Sequence, residues 1–402
     1  MLARTLENPT LGIYVQVPFC ASKCTFCNFS SSVERNTLLQ NYSRSLEQEV
    51  NHLASFYAER GIPREVLGLP LDSVYFGGGT PTLLGPDRLR SLVEVLRRHF
   101  KWSSDVEFTL ETTPGSVDAN FLYALRSFGV NRLSVGAQTF ADAELRAAGR
   151  LHSADDTGEL VALARAAGIR NLSLDLIAGL PLQTEASFRY SLEATARLRP
   201  EHVSLYIFEI DEKSRLGREV VHGGKRYQAA AVPSEDFMAD AYETGREFLA
   251  REGYVQYEIS NFALAGFQSR HNQKYWRLEP YLGLGAGAHS FDGSRRWANR
   301  TSARDYLATL ETGASALVEL HIVTPTEQIE EFFFLGLRQT DGLDLDRARQ
   351  RWGPGPLKPW EEKIRSLARD CRIIVEGDRV RLPPNACLVS NEILQEFVSL
   401  PL

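Results

Sequence analysis

The sequence has few cysteines, no long apolar run and no excess of positive charge. It carries 5 cysteines in 402 residues, and three of them lie within one eight-residue segment. This spacing does not suit a disulfide-stabilised secreted scaffold. No apolar stretch reaches the roughly 18 residues that a transmembrane helix needs. Lys and Arg number 45 against 51 Asp and Glu, a net charge of −6, which argues against a nucleic-acid-binding surface.

The remaining composition is that of a soluble globular protein, with 43% hydrophobic and 24% charged residues. Residues 1–9 contain no apolar segment of the kind found in secretory signals. Together with the low cysteine count, this predicts a cytoplasmic protein. The length predicts two or three domains.

The three clustered cysteines, Cys20, Cys24 and Cys27, follow an apolar run at residues 11–17 that predicts a strand. Thiolates are preferred ligands of soft metals and of iron–sulfur clusters. Three close thiolates can bind three irons of a four-iron cluster and leave the fourth iron open to a small molecule. The spacing therefore favours an open-site [4Fe–4S] cluster.

Two alternatives remain open from spacing alone, a zinc site and unliganded thiols. Zinc normally takes a second ligand pair at its own short spacing. The other cysteines, Cys371 and Cys387, are isolated and distant in the sequence.

The CxxxCxxC pattern after a first strand resembles the signature of radical S-adenosylmethionine (SAM) proteins. From about Tyr14 to the C-terminus the chain resembles the oxygen-independent coproporphyrinogen III oxidase family, and within it the haem chaperone branch. The resemblance implies a [4Fe–4S] cluster on Cys20, Cys24 and Cys27, with SAM chelated at the open iron. It also implies haem as a bound ligand.

Strand-like and helix-like segments alternate over the first half of the chain. One helix is predicted at residues 153–168, where Ser153 and Asp156 form a capping-box pattern. The predicted strands are residues 12–17, 73–76, 106–110, 132–135, 172–177 and 202–208. Such alternation predicts an α/β fold with a parallel sheet. The resemblance implies a partial (β/α)6 TIM-type barrel, with ligands at the carboxyl ends of the strands.

Beyond the sixth strand the pattern changes, and we predict three domains. Residues 1–230 form the radical SAM partial barrel, residues 231–300 a helical and loop extension, and residues 301–402 a C-terminal winged-helix-like α+β domain. Helices are predicted at residues 233–253, 327–337, 359–369 and 391–397, with a hairpin at residues 372–382.

Several polar or small residues lie on these strands or directly after them. Three consecutive glycines after the second strand allow the backbone to approach a ligand closely. A carboxylate inside a strand, such as Asp175, is unexpected unless it has a partner. The resemblance places the following residues around SAM: Tyr14, Phe26, Gly78, Gly79, Thr80, Glu111, Gln138, Arg150 and Asp175.

The string His271-Asn272-Gln273-Lys274-Tyr275-Trp276 resembles the haem-binding motif of the chaperone branch. We expect His271 to be an axial haem ligand near the barrel mouth, because imidazole commonly binds haem iron. Tyr275 and Trp276 could form an aromatic wall against the porphyrin. The alternative is that His271 only orders a loop through hydrogen bonds, which makes His289 the next candidate.

The resemblance implies two functions of different kinds. One is a haem chaperone that passes haem to an acceptor protein, for which a membrane-associated respiratory protein is one candidate and in which a homodimer is an option. The alternative is an oxidase that decarboxylates porphyrinogen propionates. The oxidases carry a fourth cysteine where this chain has Phe29, and they have an N-terminal extension ahead of the cluster. These differences favour the chaperone without oxidase activity.

A third class, a radical SAM enzyme that modifies RNA or another macromolecule, is disfavoured by the acidic charge balance. Asn28 stands where Asp is expected next to the third cysteine. This departure does not touch a cluster ligand.

Overall fold

The computed structural model describes residues 9–34 and 36–398 of the chain. Most of the N-terminal segment considered for a secretory signal, residues 1–8, lies outside the described residues, as do residues 399–402 of the predicted C-terminal domain.

The strands are β1 (Leu11–Gln16), β2 (Pro70–Gly77), β3 (Lys101–Thr112), β4 (Arg132–Gln138), β5 (Asn171–Ala178), β6 (His202–Ile207), β7 (Val255–Gln256), β8 (Asn261–Ala263), β9 (Tyr281–Leu284), β10 (His289–Phe291), β11 (Arg295–Asn299), β12 (Leu317–Ile322), β13 (Leu343–Asp344), β14 (Ile374–Glu376) and β15 (Arg379–Arg381).

The helices are α1 (Asn36–Glu59), α2 (Pro86–His99), α3 (Ala119–Ser127), α4 (Asp142–Ala147), α5 (Ala154–Ala166), α6 (Glu185–Leu198), α7 (Arg215–Val221), α8 (Glu235–Arg251), α9 (Arg270–Trp276), α10 (Ala303–Glu311), α11 (Pro325–Gly336), α12 (Leu345–Trp352), α13 (Pro354–Arg369) and α14 (Ser390–Leu394). Helix α5 begins with the predicted capping box of Ser153 and Asp156. Among the described residues, no helix has the length and apolar character needed to cross a bilayer.

The six predicted strands are confirmed as β1 to β6, and each pairs in parallel with the next. Helices lie between consecutive strands, so the predicted partial (β/α)6 barrel is confirmed. Alternate strand residues, such as Val74 and Phe76 of β2, join the apolar core under the helices. The residues that alternate with them, such as Ser73 and Tyr75, face the interior of the barrel, which we call the lumen.

The sheet continues past both edges of this barrel, which the sequence analysis did not predict. On one side β9 pairs in parallel with β1, and β10, β11 and β12 follow in antiparallel order. On the other side β8 and then β7 add antiparallel strands beyond β6. Residues 231–300 were predicted as helix and loop because these strands are too short to show an alternating pattern.

The predicted α+β module at the C-terminus has a second apolar core, built on Phe333, Leu357, Ile364, Val380 and Leu394. Its helices surround a small antiparallel sheet in the order β13-β15-β14.

The boundary predicted at residue 301 differs from the observed packing. Strand β12 belongs to the main sheet, and Tyr306 of α10 and Leu317 of β12 lie in the main core. The second core begins at Ile329. The loss of the strand–helix alternation after β11 therefore did not mark the end of the main domain.

One buried carboxylate ties the first helix to the late strands. Glu49 of α1 accepts hydrogen bonds from Gly285 N at 2.8 Å, Asn299 Nδ2 at 2.5 Å and the Tyr306 hydroxyl at 2.6 Å. Burial raises the pKa of Glu49. Gly285 directly follows β9, Asn299 ends β11 and Tyr306 lies in α10. Glu49 therefore holds these three segments against the helix that follows the cysteine loop.

Candidate functional site

The three cysteines lie on one loop after the carboxyl end of β1, and each is half-buried. The loop is closed at its base, where Cys20 N donates to Ser32 O at 3.0 Å and Ser32 N donates to Pro18 O at 2.9 Å. Burial raises the pKa of the Cys20 thiol, and the nearby Cys27 and Cys24 thiols raise it further. The three thiols are therefore close enough to interact electrostatically.

Among the described residues, no three His, Cys, Asp or Glu side chains converge on a point where a single metal ion could bind. Three thiols on one short loop are a donor set of the kind that iron–sulfur clusters use.

Arg150 connects the cysteine loop to the end of β4. Its Nη1 donates to Cys24 Sγ at 3.3 Å, and its Nη2 donates to Gly136 O at 2.7 Å. Next to it, Thr25 N donates to Ala148 O at 3.0 Å. Arg150 therefore places a positively charged group beside one of the three sulfurs.

The segment after β6 holds the cysteine loop from the other side. Leu216 N donates to Thr25 O at 2.8 Å, and the Arg215 guanidinium donates to another carbonyl of the loop. Asn28 Nδ2 donates to Asp211 Oδ2 at 3.0 Å. An aspartate at position 28 would instead face the like charge of Asp211.

The glycines after β2 serve the cysteine loop as well as the lumen. A Cβ on Gly79 would lie 2.5 Å from Phe19 O and 2.7 Å from Val17 O. Thr80 N donates to Phe19 O at 2.7 Å. Gly79 is thus required for close packing against the start of the cysteine loop, whereas the sequence analysis attributed it to space for a ligand.

Glu111 lies near the carboxyl end of β3, where Tyr75 of β2 and Gly78, in the loop after β2, both donate hydrogen bonds to it. Its Oε1 accepts from the Tyr75 hydroxyl at 2.9 Å, and its Oε2 accepts from Gly78 N at 3.0 Å. Gly78 has φ +95°, a conformation that glycine adopts without strain. Burial raises the pKa of Glu111 to about 7. The carboxyl group can therefore gain or lose a proton near neutral pH.

Asp175 faces the lumen from β5. Both of its carboxylate oxygens lie 3.4 Å from Ser134 Oγ. Burial raises the pKa of Asp175 to about 6, against the opposing influence of a hydrogen bond from Ser204 and the charge of Arg132. The partner expected for a carboxylate within a strand is therefore a set of hydroxyls together with a nearby cation.

That cation, Arg132 of β4, is a site residue that the sequence analysis missed. It is only 1% exposed, and its Nε makes no hydrogen bond. Its charge lowers the pKa of both Glu111 and Asp175. Its position two residues before Ser134 places it on the lumen face, so strand alternation would have found it.

The other predicted cofactor residues lie at different depths. Gln138 ends β4 with φ +68°, which is uncommon for a residue other than glycine. The Tyr14 hydroxyl donates to Gln16 Oε1 at 2.8 Å, and its ring stacks on Tyr75 at 5.8 Å. Phe26 packs on the apolar cluster beside the loop. Gln138 and Phe26 therefore lie toward the carboxyl end of the barrel, whereas Tyr14 lies deeper, beside His271.

His271 does not lie near the barrel mouth as the sequence analysis expected. It is 1% exposed and sits under the rings of Tyr14 and Tyr75, at 6.1 and 5.4 Å. Its Nδ1 shares a hydrogen bond with Ser73 Oγ at 3.1 Å, and its Nε2 shares one with the Tyr275 hydroxyl at 2.9 Å. Both ring nitrogens are occupied, so this conformation offers none to a haem iron.

Helix α9 closes the amino end of the lumen, opposite the cysteine loop. The backbone N–H groups of Arg270 and His271 donate to the carboxylate of Glu107. Lys274 is 1% exposed and forms ion pairs with Asp72 at 2.8 Å and Glu279 at 3.1 Å. The residues of this motif are buried and close the amino end of the lumen. This agrees with the alternative that His271 orders its surroundings through hydrogen bonds.

We expect His271→Ala to destabilise the fold by about 3 kcal/mol, because Ser73 and Tyr275 lose a buried partner and a cavity forms. Urea unfolding of the metal-free protein measures this. His289→Ala, at an exposed position, is the control and should change stability little.

The same substitution has a pH signature. Burial lowers the pKa of His271 to about 3, so below pH ~6.5 the unfolded chain binds a proton that the folded chain does not. The stabilisation from His271 should fall by about 1 kcal/mol between pH 7.5 and 5.5. A His271→Ala variant that is as stable as the unmodified protein at both pH values would contradict a structural role.

Comparisons with known proteins agree with this architecture. The model of the Radical SAM superfamily matches residues 14–194, and that of the HemN C-terminal domain matches residues 323–389. The radical SAM match implies a [4Fe–4S] cluster and SAM. Coproporphyrinogen III oxidase (HemN) of Escherichia coli, a radical SAM enzyme, has a solved structure that is 25% identical, with a TM-score of 0.83, covering 98% of this chain and 91% of that one.

Curated relatives extend over almost the whole length. Heme chaperone HemW of Bacillus subtilis is 34% identical over 386 residues, covering 96% of this chain and 98% of the relative. Heme chaperone HemW of Lactococcus lactis is 30% identical over 393 residues, covering 98% of each. This chain belongs to the HemW family of radical SAM proteins.

Proposed function

We propose that this protein is a cytoplasmic haem chaperone that binds haem, passes it to an acceptor protein and carries a SAM-binding [4Fe–4S] cluster. The full-length similarity to heme chaperones of two bacteria supports this proposal. The proposal also includes a membrane-associated respiratory protein as the acceptor of haem, and a homodimer as the assembly of this chain.

The cluster would be held by Cys20, Cys24 and Cys27. Their shared loop is held on both sides by backbone hydrogen bonds, from Thr25 N to Ala148 O and from Leu216 N to Thr25 O. Arg150 supplies positive charge beside Cys24. When bound, the cluster and SAM supply one-electron chemistry at this end of the barrel.

SAM would lie over the carboxyl ends of the strands. Its ammonium and sulfonium groups are cations, and its ribose hydroxyls are hydrogen-bond donors. Glu111 and Asp175 are carboxylates aimed into the lumen, where an approaching cation favours their ionised form. Gln138 and Arg150 lie at the rim, Gly78, Gly79 and Thr80 lie beside the loop, and Tyr14 and Phe26 supply aromatic surface.

The alternative function, oxidative decarboxylation of coproporphyrinogen III, is supported by the structural similarity to the Escherichia coli oxidase. One residue weighs against it. Phe29 is 66% exposed on the cysteine loop, at the position where the oxidase pattern carries a fourth cysteine. A phenyl group cannot replace the chemistry of a thiol.

Replacing any one of Cys20, Cys24 and Cys27 by Ala should remove most of the cluster absorbance after anaerobic reconstitution, because each thiolate binds a separate iron. Absorbance near 400 nm and bound iron measure this. Cys371→Ala, at an exposed position, should leave the cluster intact. Full clusters in all three variants would rule out this ligand set.

SAM affinity should depend on the ionisation of Glu111. With a pKa of about 7, this carboxyl group is mostly protonated at pH 6 and mostly ionised at pH 8. Its ionisation should strengthen SAM binding up to about tenfold across that range. Calorimetric titration of the cluster-loaded protein measures the affinity.

Glu111→Gln is the matched control, since it keeps the shape and removes the titration. It should bind SAM more weakly and lose this part of the pH dependence, while any titration of SAM itself remains. The same pH profile in both proteins would exclude Glu111 as the titrating group.

The function itself is tested by two parallel assays on anaerobically reconstituted protein. Haem titration should give a saturable Soret band. Incubation with coproporphyrinogen III, SAM and reductant should give no decarboxylated product above the protein-free blank. Product formation at rates typical of enzymes would favour the oxidase instead, and absence of haem binding would refute the chaperone.

A further inference from the structure

A cavity of about 290 Å³ lies between α9, the strands β9 to β11 and helix α11 of the C-terminal module. Tyr275 lies between this cavity and the lumen, since it lines the cavity while its hydroxyl shares a hydrogen bond with His271 at 2.9 Å. The volume of the cavity lies just below the ~300–1,000 Å³ usual for small-molecule sites. It can therefore enclose one edge of a large ligand.

The walls of this cavity are mainly aromatic. Tyr275 and Tyr281 pack edge to face at 4.7 Å, and Phe291 and Phe334 line the cavity as well. Flat apolar surfaces of this kind favour a planar apolar ligand, because ring contacts add to the burial of area.

One end of the cavity is polar. Arg296 donates to both carboxylate oxygens of Glu331, at 2.7 and 2.8 Å, and to the Tyr281 hydroxyl at 3.2 Å. Its guanidinium lies 4.3 Å from the centre of the Phe291 ring. Such a bidentate guanidinium is suited to bind a carboxylate.

The combination of aromatic walls and a guanidinium matches a planar macrocycle that carries carboxylates. We propose that haem inserts one edge into this cavity and places a propionate on Arg296 in exchange for the carboxylate of Glu331. The inference rests on the proposed chaperone function and adds the site. His271 plays no part in it as a ligand.

The exchange is feasible because the pair it replaces is partly exposed. Arg296 and Glu331 are 29% and 26% exposed, and ion pairs with access to solvent contribute little to stability. Glu331 can turn toward water when the propionate arrives. Because both carboxylates compete for one guanidinium, Glu331 limits the affinity and favours release, as delivery to an acceptor requires.

The competition predicts opposite effects for the two partners. Arg296→Gln should weaken haem binding at least fivefold, because the propionate loses its partner. Glu331→Gln should strengthen haem binding at least threefold, because Arg296 is freed. Haem titration of the full-length protein followed by absorbance measures both, and thermal unfolding checks that each variant is folded.

Arg295→Gln is the matched control. Arg295 is the neighbouring residue on β11, has similar exposure and pairs with Asp292 at 3.2 Å, but it does not line the cavity. It should leave haem affinity unchanged. Haem dimethyl ester is a second control, because it lacks free carboxylates and should bind all of these proteins with one affinity.

The outcomes separate the site from the function. If the unmodified protein binds haem while the Arg296 and Glu331 variants bind it with the same affinity, the proposed site is wrong and the chaperone function stands. Weaker binding by Glu331→Gln would overturn the exchange. If the unmodified protein binds no haem, the proposed function fails together with the site.

Discussion

The central constraint on this structure is the enclosure of ionisable groups inside the barrel. Glu111, Asp175 and Arg132 lie together in a lumen where desolvation penalises every charge. The two carboxyl groups respond with raised pKa values, and Arg132 supplies the compensating charge from below. Arg132 is shared between the two carboxyl groups, and the charge of Arg150 at the rim also favours the ionised form of Asp175.

Helix α9 closes the opposite end of the lumen with a layer of rings and ion pairs. A layer of three rings lies under the carboxylates, formed by Tyr14, Tyr75 and His271. Beneath this layer, Lys274 forms ion pairs with Asp72 and Glu279. The motif that resembles a haem site therefore has a prior structural role in the barrel, and the surface it leaves for a ligand is the outer face of Tyr275.

The six parallel strands and the C-terminal module could be predicted because their residues carry local patterns: alternation, capping boxes and turn residues. The lumen positions of Glu111 and Asp175 follow from the same alternation. The location of His271 could not be read locally, since a helix after the last barrel strand can pack at either end. The hydrogen-bond partners of Glu49 and Asn28 could not be read locally either, because each lies more than 180 residues away along the sequence.

The parallel pairing of β1 with β9 sets an order of events during synthesis. The strand that leads into the cysteine loop aligns Gly12 with Tyr281, so one of its edges stays without a neighbour until most of the chain has left the ribosome. An unpaired edge can join a second chain, and contacts this distant in sequence form slowly. Pairing of β1 along both of its edges therefore requires translation of at least the first 284 residues, because Val15 aligns with Leu284.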